Sequence, residues 1–442
     1  MMFSTLIDRA VRLSKLRQVW ASTTGATMAT LLLIAPLVAS AQTATDFEKP
    51  PILQAKDLVP ATMLTGKGFR VADQVPTDGF MAIFTITTDA ATFRNNAGTF
   101  QVRSRELFAI RLAELSAIAQ LEDISKTKTF VTAMAAATAR PIESAGNMVL
   151  HPIGTVEGLP SGVGRLFGRV EGGAEQLWNT ASASDQSGLE RTEDAAKQAG
   201  TITRDALGYE QERRNLAKKL GVDPYTKNPV LAKKLDDVAW VSFAGRFIVS
   251  TAISVAVPAS MIITSTVAVN NLIWDTPRAD LIVRVTKKLQ ELQVPEDRIQ
   301  QFMHNAAIPL SVQVAVVEHL TRLSGVSGRA GVIGLMGGVL SESQARFLAG
   351  AVRMLADYHE QQQPIVALAA PGPVIGRDRD GTVIVPAPVD YVSWTEGIAQ
   401  FATSPTLAAP QRSIWLTGKM SPRAKREFAG LGWTVRESTQ GE

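Results

Sequence analysis

Between Arg246 and Asp275 the chain runs for 28 residues, Phe247 to Trp274, without one charged side chain. A helix crosses a bilayer core with about 20 mostly apolar residues, so the length would suffice for a span. The composition argues against one. Fourteen of the 28 are large apolar residues, seven are Ser or Thr, two are Asn270 and Asn271, and Pro258 lies near the middle. Each large aliphatic residue contributes only about −0.3 to −0.6 kcal/mol to insertion, and the hydroxyls, amides and proline oppose that sum. The hydroxyls are also patterned. Ser250, Thr251 and Ser254 share a helix face, and Ser260 and Thr264 are four apart. Pro258 has no backbone donor and breaks or kinks a helix at that point. The expectation is two apolar helices, one ending near Val257 and one resuming near Ser260, buried mainly against protein. The alternative is a membrane-embedded or membrane-seeking hairpin over residues 247–274.

The N-terminus reads as a leader. Arg9, Arg12, Lys15 and Arg17 form a basic region, Ala26 to Val38 is uncharged and mostly apolar, and Ala39-Ser40-Ala41 is a small-residue cleavage site. Cleavage after Ala41 is expected, against an uncleaved anchor as the other reading. Residues 1–41 carry four basic residues and one acid, Asp8, so their removal takes the formal charge from +4 to +1. A nearly neutral chain gives no general case for nucleic-acid binding. There is no cysteine, which excludes disulfides, thiolate metal sites and Cys nucleophiles. The expected location is the bacterial periplasm or another exported compartment, free or at a membrane.

Residues 42–62 hold three prolines and no helical period, and read as an extended linker. Strand signals follow at Phe69 to Ala72, at Phe80 to Thr87 (alternating around Met81, Ile83 and Thr85), and at Thr99 to Val102 after an Asn95-Asn96-Ala97-Gly98 turn. Such a small antiparallel unit needs a helix across one face. Ser104 is placed to cap that helix, whose apolar face is Leu107, Ile110, Leu112, Leu115 and Ile118, ending near Ile124. A second helix is expected over 128–139.

Residues 145–172 are glycine-rich but lack the strand and the Lys-Ser/Thr pair of a phosphate-cradling loop. From Ser184 to Leu220 polar helix formers are interrupted by Gly188, Gly200 and Gly208, the pattern of long exposed helices or helices facing a partner. Asn228-Pro229 supplies a cap and first helical position. After Asp275 five helices are expected: Thr276-Pro277 to Leu292, Pro295 to His304, Ser311 to Leu323, Arg329 to Leu340, and one entered through a Ser341/Gln344 capping box and reaching Glu360. Short connections predict that successive helices pack as antiparallel neighbours. Beyond them, strands at Val366 to Ala369, Thr382 to Val385, Ser413 to Leu416 and Trp433 to Arg436 alternate with helices capped by Thr395 and Ser421-Pro422.

The chain therefore reads as α+β and predominantly α-helical. It divides into a cleaved signal peptide (1–41), a linker (42–62), a small strand-plus-helix domain (63–144), a glycine-rich segment with long helices ending in the apolar pair (145–275), a five-helix array (276–363) and a C-terminal α/β module (364–442).

Chemistry-bearing motifs are sparse. The four histidines, His151, His304, His319 and His359, have no metal-ligand spacing; Glu318-His319 and His359-Glu360 read as surface pairs. Asp378-Arg379-Asp380-Gly381 lacks the ligand ladder of a calcium loop and reads as a hairpin turn. Gly325 to Gly328 is no nucleophile elbow, because Arg329 stands where the second glycine is required. Ser125-x-x-Lys128 lacks the companion motifs of penicillin-binding enzymes and reads as a helix N-terminus with solvated lysines. Gly331, Gly334, Gly337 and Gly338 form a small-residue face for close helix packing, not a dinucleotide loop. No catalytic residue is assigned, and neither a cofactor nor a metal is expected. The functional expectation is an exported, non-catalytic envelope protein acting as a structural or interaction module on a protein or a membrane surface. The alternative is an exported hydrolase whose site assembles only in three dimensions.

Overall fold

The computed structural model describes residues 47–93, 96–136, 204–244 and 266–438. The leader, the glycine-rich segment with His151, the polar run before Arg204 and the expected break at Pro258 lie outside the described residues.

The N-terminal part contains strands β1 (Ile52–Gln54), β2 (Thr65–Gly66), β3 (Phe69–Val71), β4 (Gln74–Pro76), β5 (Ile83–Thr88) and β6 (Gly98–Arg103). Strands β2-β3-β5-β6 form an antiparallel sheet in that order, with β5 and β6 in register from Ile83↔Arg103 to Thr88↔Gly98. The core parity of β5 belongs to Phe84, Ile86 and Thr88, while Ile83 and Thr85 are only half-buried. Residues 47–62 are no free arm: β1 pairs antiparallel with β4, and a one-turn helix α1 (Ala55–Leu58) follows. Prolines at 50, 51 and 60 hide this strand from a period-based reading.

A short helix α2 (Ala90–Phe93) precedes β6, and the long helix α3 (Arg105–Ser125) leaves it. Ser104 caps α3 as its sequence predicts, accepting the Leu107 N–H at 3.1 Å. Phe108 stacks on Phe84 at 4.0 Å between ring centroids, which fixes α3 on the sheet. Helix α4 (Lys128–Ala136) follows.

Helices α5 (Arg204–Leu220) and α6 (Pro229–Phe243) pack as a pair. Asn228 caps α6 through the N–H groups of Val230 and Leu231. Helix α5 is not the exposed helix its polarity predicts: Leu216, Ala217 and Leu220 are buried, and Gly208 lies where a Cβ would meet the Phe243 ring. The described end of the apolar stretch is helix α7 (Val267–Asp275), capped by Thr266. It buries Val269, Asn270, Ile273 and Trp274, and the Trp274 indole donates to the Val222 carbonyl at 3.1 Å. The described part of the stretch, its last nine residues, thus packs on protein. No helix among the described residues is long and apolar enough to cross a membrane.

The array consists of α8 (Arg278–Glu291), α9 (Glu296–Met303), α10 (Leu310–Arg322), α11 (Arg329–Gly337) and α12 (Glu342–Gln361). All five match the sequence-based helices to within a few residues. Their packing does not. The main partners are alternate helices: α8 with α10, α9 with α11, and α10 with α12. The short connections step to the next-but-one row because α9 and α11 meet closely: a Cβ on Gly337 would lie 3.0 Å from Gln301, and one on Gly334 3.4 Å from Arg298. The glycine face identified in the sequence makes this approach possible.

The C-terminal part carries β7 (Ile365–Ala369), β8 (Ile375–Asp378), β9 (Val383–Ala387), β10 (Tyr391–Val392), β11 (Arg412–Leu416), β12 (Lys419–Met420) and β13 (Trp433–Arg436), with helices α13 (Glu396–Ala402) and α14 (Pro422–Gly430). A five-stranded sheet runs β13-β11-β9-β8-β7; β9, β11 and β13 are mutually parallel, and β8 is antiparallel to both neighbours. All five residues of β9 are buried, the pattern of a strand covered on both faces. Strand β8 escapes a pattern-based reading because Gly376 and two charged residues occupy three of its four positions. Gly376 lies close under α12, where a Cβ would stand 2.9 Å from the Leu355 side chain. Helix α12 packs along β7, β8 and β9, so the sheet is built onto the array. Buried apolar residues from Ala55 to Trp433 join in a single core.

Candidate functional site

The N-terminal strands, α12 and the C-terminal module converge on a cavity of about 390 Å³. Its walls come from four parts of the chain. The end of α1 and the segment after it supply Leu58, Val59, Pro60 and Met63; the start of α3 supplies Ser104, Arg105 and Glu106; and α12 supplies Ser343, Arg346, Phe347 and Arg353. Pro388, Asp390 and Thr417 close it from the module.

Asp390 holds this junction together. Its buried carboxylate accepts the backbone N–H groups of Ala82 (3.0 Å) and Arg105 (3.1 Å) and the Arg105 Nε (3.4 Å). Burial pushes the Asp390 carboxyl up, against the pull of Arg105 and of these two N–H groups. The Phe80 carbonyl accepts the Asp390 and Tyr391 N–H groups, and the Gly79 carbonyl accepts that of Ser393. At the other edge Glu48 accepts from the Trp394 N–H and the Ser421 hydroxyl, so residues 47–48 are also fixed to the module. Ser104 completes the wall at a φ of 75°, a region that L residues avoid. Its geometry is set from both sides: its N–H donates to the Ala82 carbonyl and its hydroxyl caps α3.

The cationic side of the cavity is α12. Arg346 and Arg353 are seven residues apart, two turns along one helix face. Arg346 is 3% exposed, and its Nε donates to Glu342 at 2.8 Å. Burial works against the Arg346 charge, and Glu342, Glu106 and Asp223 outweigh it. Its Nη1 is buried with no acceptor, and so is the Nε of Arg353. Among the described residues no carboxylate forms an ion pair with Arg353. The polar groups opposite are already engaged, Ser104 with Leu107, Asp390 as above, and the Thr417 hydroxyl with the Val389 carbonyl at 2.9 Å. Two arginine side chains in the wall of a partly apolar cavity are suited to hold an anion.

The residues singled out from the sequence lie elsewhere. His304 is exposed and its Nδ1 lies 2.9 Å from the Gln300 carbonyl. His319 is fully buried, which corrects its reading as a surface residue; its neighbour Glu318 faces outward to Arg284 and Lys288. His359 accepts the Ile365 N–H on Nδ1. No three His, Asp or Glu side chains among the described residues are grouped to hold a metal ion. Asp378 sits in a hairpin turn as expected, accepting the N–H groups of Asp380 and Thr382, with Gly381 at a φ of 82°. The Ser125 hydroxyl donates to the Glu122 carbonyl, and Lys128 is exposed. Ser327 forms a parallel bridge to Ala367 and extends the sheet edge. Arg105, Arg346, Arg353 and Asp390 belong to no motif, and sequence reasoning missed them. One signal was present: both α12 arginines interrupt the otherwise apolar run of residues 345–356.

The architecture is α+β and predominantly helical. No family model matches the chain, and neither a curated protein nor a solved structure matches it.

Proposed function

We propose that this chain is an exported, non-catalytic binding and interaction module of a bacterial envelope, working in the periplasm or at a membrane surface. The observation that carries the reading is the cavity at the junction: its Ser104 and Thr417 hydroxyls and its Asp390 carboxylate serve the fold, while arginine N–H groups on α12 remain without acceptors. A hydrolase would need a nucleophile or activated water with a base in reach. Ser104 caps α3 and Asp390 faces Arg105 and two backbone N–H groups, so neither is poised for that role. Export is supported by the basic region, the apolar run and Ala39-Ser40-Ala41. The test is joint. Protein recovered from cells should begin at Gln42 by intact mass, fractionate with the envelope or periplasm, and turn over no ester, peptide or phosphate substrates. Retention of Met1 would overturn export by cleavage, and hydrolysis abolished by Asp390→Asn would favour the hydrolase alternative.

A further inference from the structure

We propose that the junction cavity binds a small organic monoanion with an apolar body, a medium-chain carboxylate, whose charged end sits between Arg346 and Arg353. The proposal rests on the reading of the chain as a binding module and names the ligand class of that module. Its first support is the state of Arg346. The side chain lines the cavity, is 3% exposed, and uses its Nε and Nη2 on Glu342, leaving the buried Nη1 without an acceptor. A buried guanidinium N–H left in this state is unfavourable, and an arriving carboxylate oxygen relieves it.

Arg353 is the independent second support. It lines the same cavity two helical turns away, and its Nε too is buried without an acceptor. It forms no ion pair among the described residues, and it is the second cation on an otherwise apolar helix face. The rest of the wall fixes the ligand's other end. Met63, Met81, Leu107 and Phe347 offer flexible and aromatic apolar surface, which suits an alkyl or aryl body.

Charge selects among anions. Arg105, Arg346 and Arg353 line the cavity, and so do Glu106 and Asp390, with Arg105 taken up by Asp390. With Arg105 on Asp390 and Arg346 on Glu342, Arg353 is the cation left to meet a monoanion. A dianionic phosphate monoester would bring a second charge towards Glu106.

Calorimetric titration of the purified protein with decanoate, decanol and decyl phosphate tests this. The wild type should bind one decanoate per chain, at least about tenfold more tightly than decanol or decyl phosphate. Arg353→Gln should weaken decanoate about tenfold or more with its thermal midpoint unchanged, and leave decanol alone; Arg353→Lys should restore part of the loss. Arg346 is reserved as a confirmatory site because its pair with Glu342 is structural. Equal binding of decanol, unchanged decanoate binding in Arg353→Gln, or no binding of decanoate would each overturn the proposal. Tighter binding of decyl phosphate would overturn the monoanion assignment. Para-nitrophenyl decanoate is included in parallel: its hydrolysis would sink the non-catalytic reading, whatever the fate of the anion site.

Discussion

Arg111 of α3 reaches across 231 residues of sequence to Glu342 at the start of α12, donating from Nη2 to its carboxylate. The same guanidinium donates through Nη1 to Glu114 at 2.7 Å, and Glu114 in turn accepts from Asn228 at 3.0 Å. Glu342 also accepts from Arg346. One buried chain of charges and amides thus ties the N-terminal helix, the central helix pair and the cavity-bearing helix. Removing one partner of such a chain leaves the others buried and unpaired, which costs about 3–5 kcal/mol. We expect Glu342→Gln to lose stability of that order in urea unfolding at neutral pH. A change under about 1 kcal/mol would show that the network contributes little.

The same residue sets a pH dependence. Burial alone would raise the Glu342 carboxyl; Arg111 and Arg346 outweigh it and bring it down to about 2. A carboxyl depressed in the folded state contributes stability that is full above its unfolded value and is lost as pH falls towards its folded value. The window is therefore from about 4.5 down to about 2. Asp390 and Asp223, both pushed up by burial, act with the opposite sign as they protonate. Acid unfolding of the wild type should steepen through that window, and Glu342→Gln should flatten it. Parallel acid curves for the two proteins would contradict the assignment.

Asp390 gives the second stability test. Asn at this position places an amide donor against the N–H groups of Ala82 and Arg105, or keeps one oxygen there and loses the charge. We expect Asp390→Asn to cost about 2–4 kcal/mol, since hydrogen bonds to a charged group carry about 1.5–3 kcal/mol each and a buried donor is left poorly paired. Limited proteolysis should then release the 364–442 module early, whereas the wild type should resist. A variant as resistant as the wild type would separate Asp390 from the clamp.

Gly418 tests the same joint sterically. A Cβ there would collide with the backbone of Val389 and Asp390, which cannot move aside as a side chain can. Gly418 also precedes β12, whose parallel pairing Tyr391↔Lys419 and Val392↔Met420 depends on that approach. Gly418→Ala should cost about 3 kcal/mol or more and lower the thermal midpoint accordingly. Gly331→Ala, where a Cβ meets nothing within 4 Å, is the matched control and should be neutral or stabilising.

Elements were legible wherever a local rule sufficed. Ser104, Asn228, Ser341, Thr395 and Ser421 each cap the helix that their sequence context predicts, because a cap is decided within four residues. Strand β1 was hidden by its prolines and β8 by Gly376, which lies close under α12. The pairing of alternate array helices was also unreadable, because loop length constrains which helices are able to meet and side-chain size decides which do. The cavity was least legible of all. Its arginines are 241 and 248 positions from Arg105 along the chain, and the Arg111–Glu342 pair and the Asp390 clamp bring them together.

The measurement that bears most directly on the binding reading is the ionisation of a bound ligand. Decanoate labelled with carbon-13 at its carboxyl reports its own protonation by chemical shift in the presence of saturating protein. A carboxylate seated between Arg346 and Arg353 should titrate well below free decanoate, because two guanidinium groups favour its charged form. A bound carboxyl that titrates at or above the free value would place the ligand in an apolar slot away from the arginines, and would contradict the account.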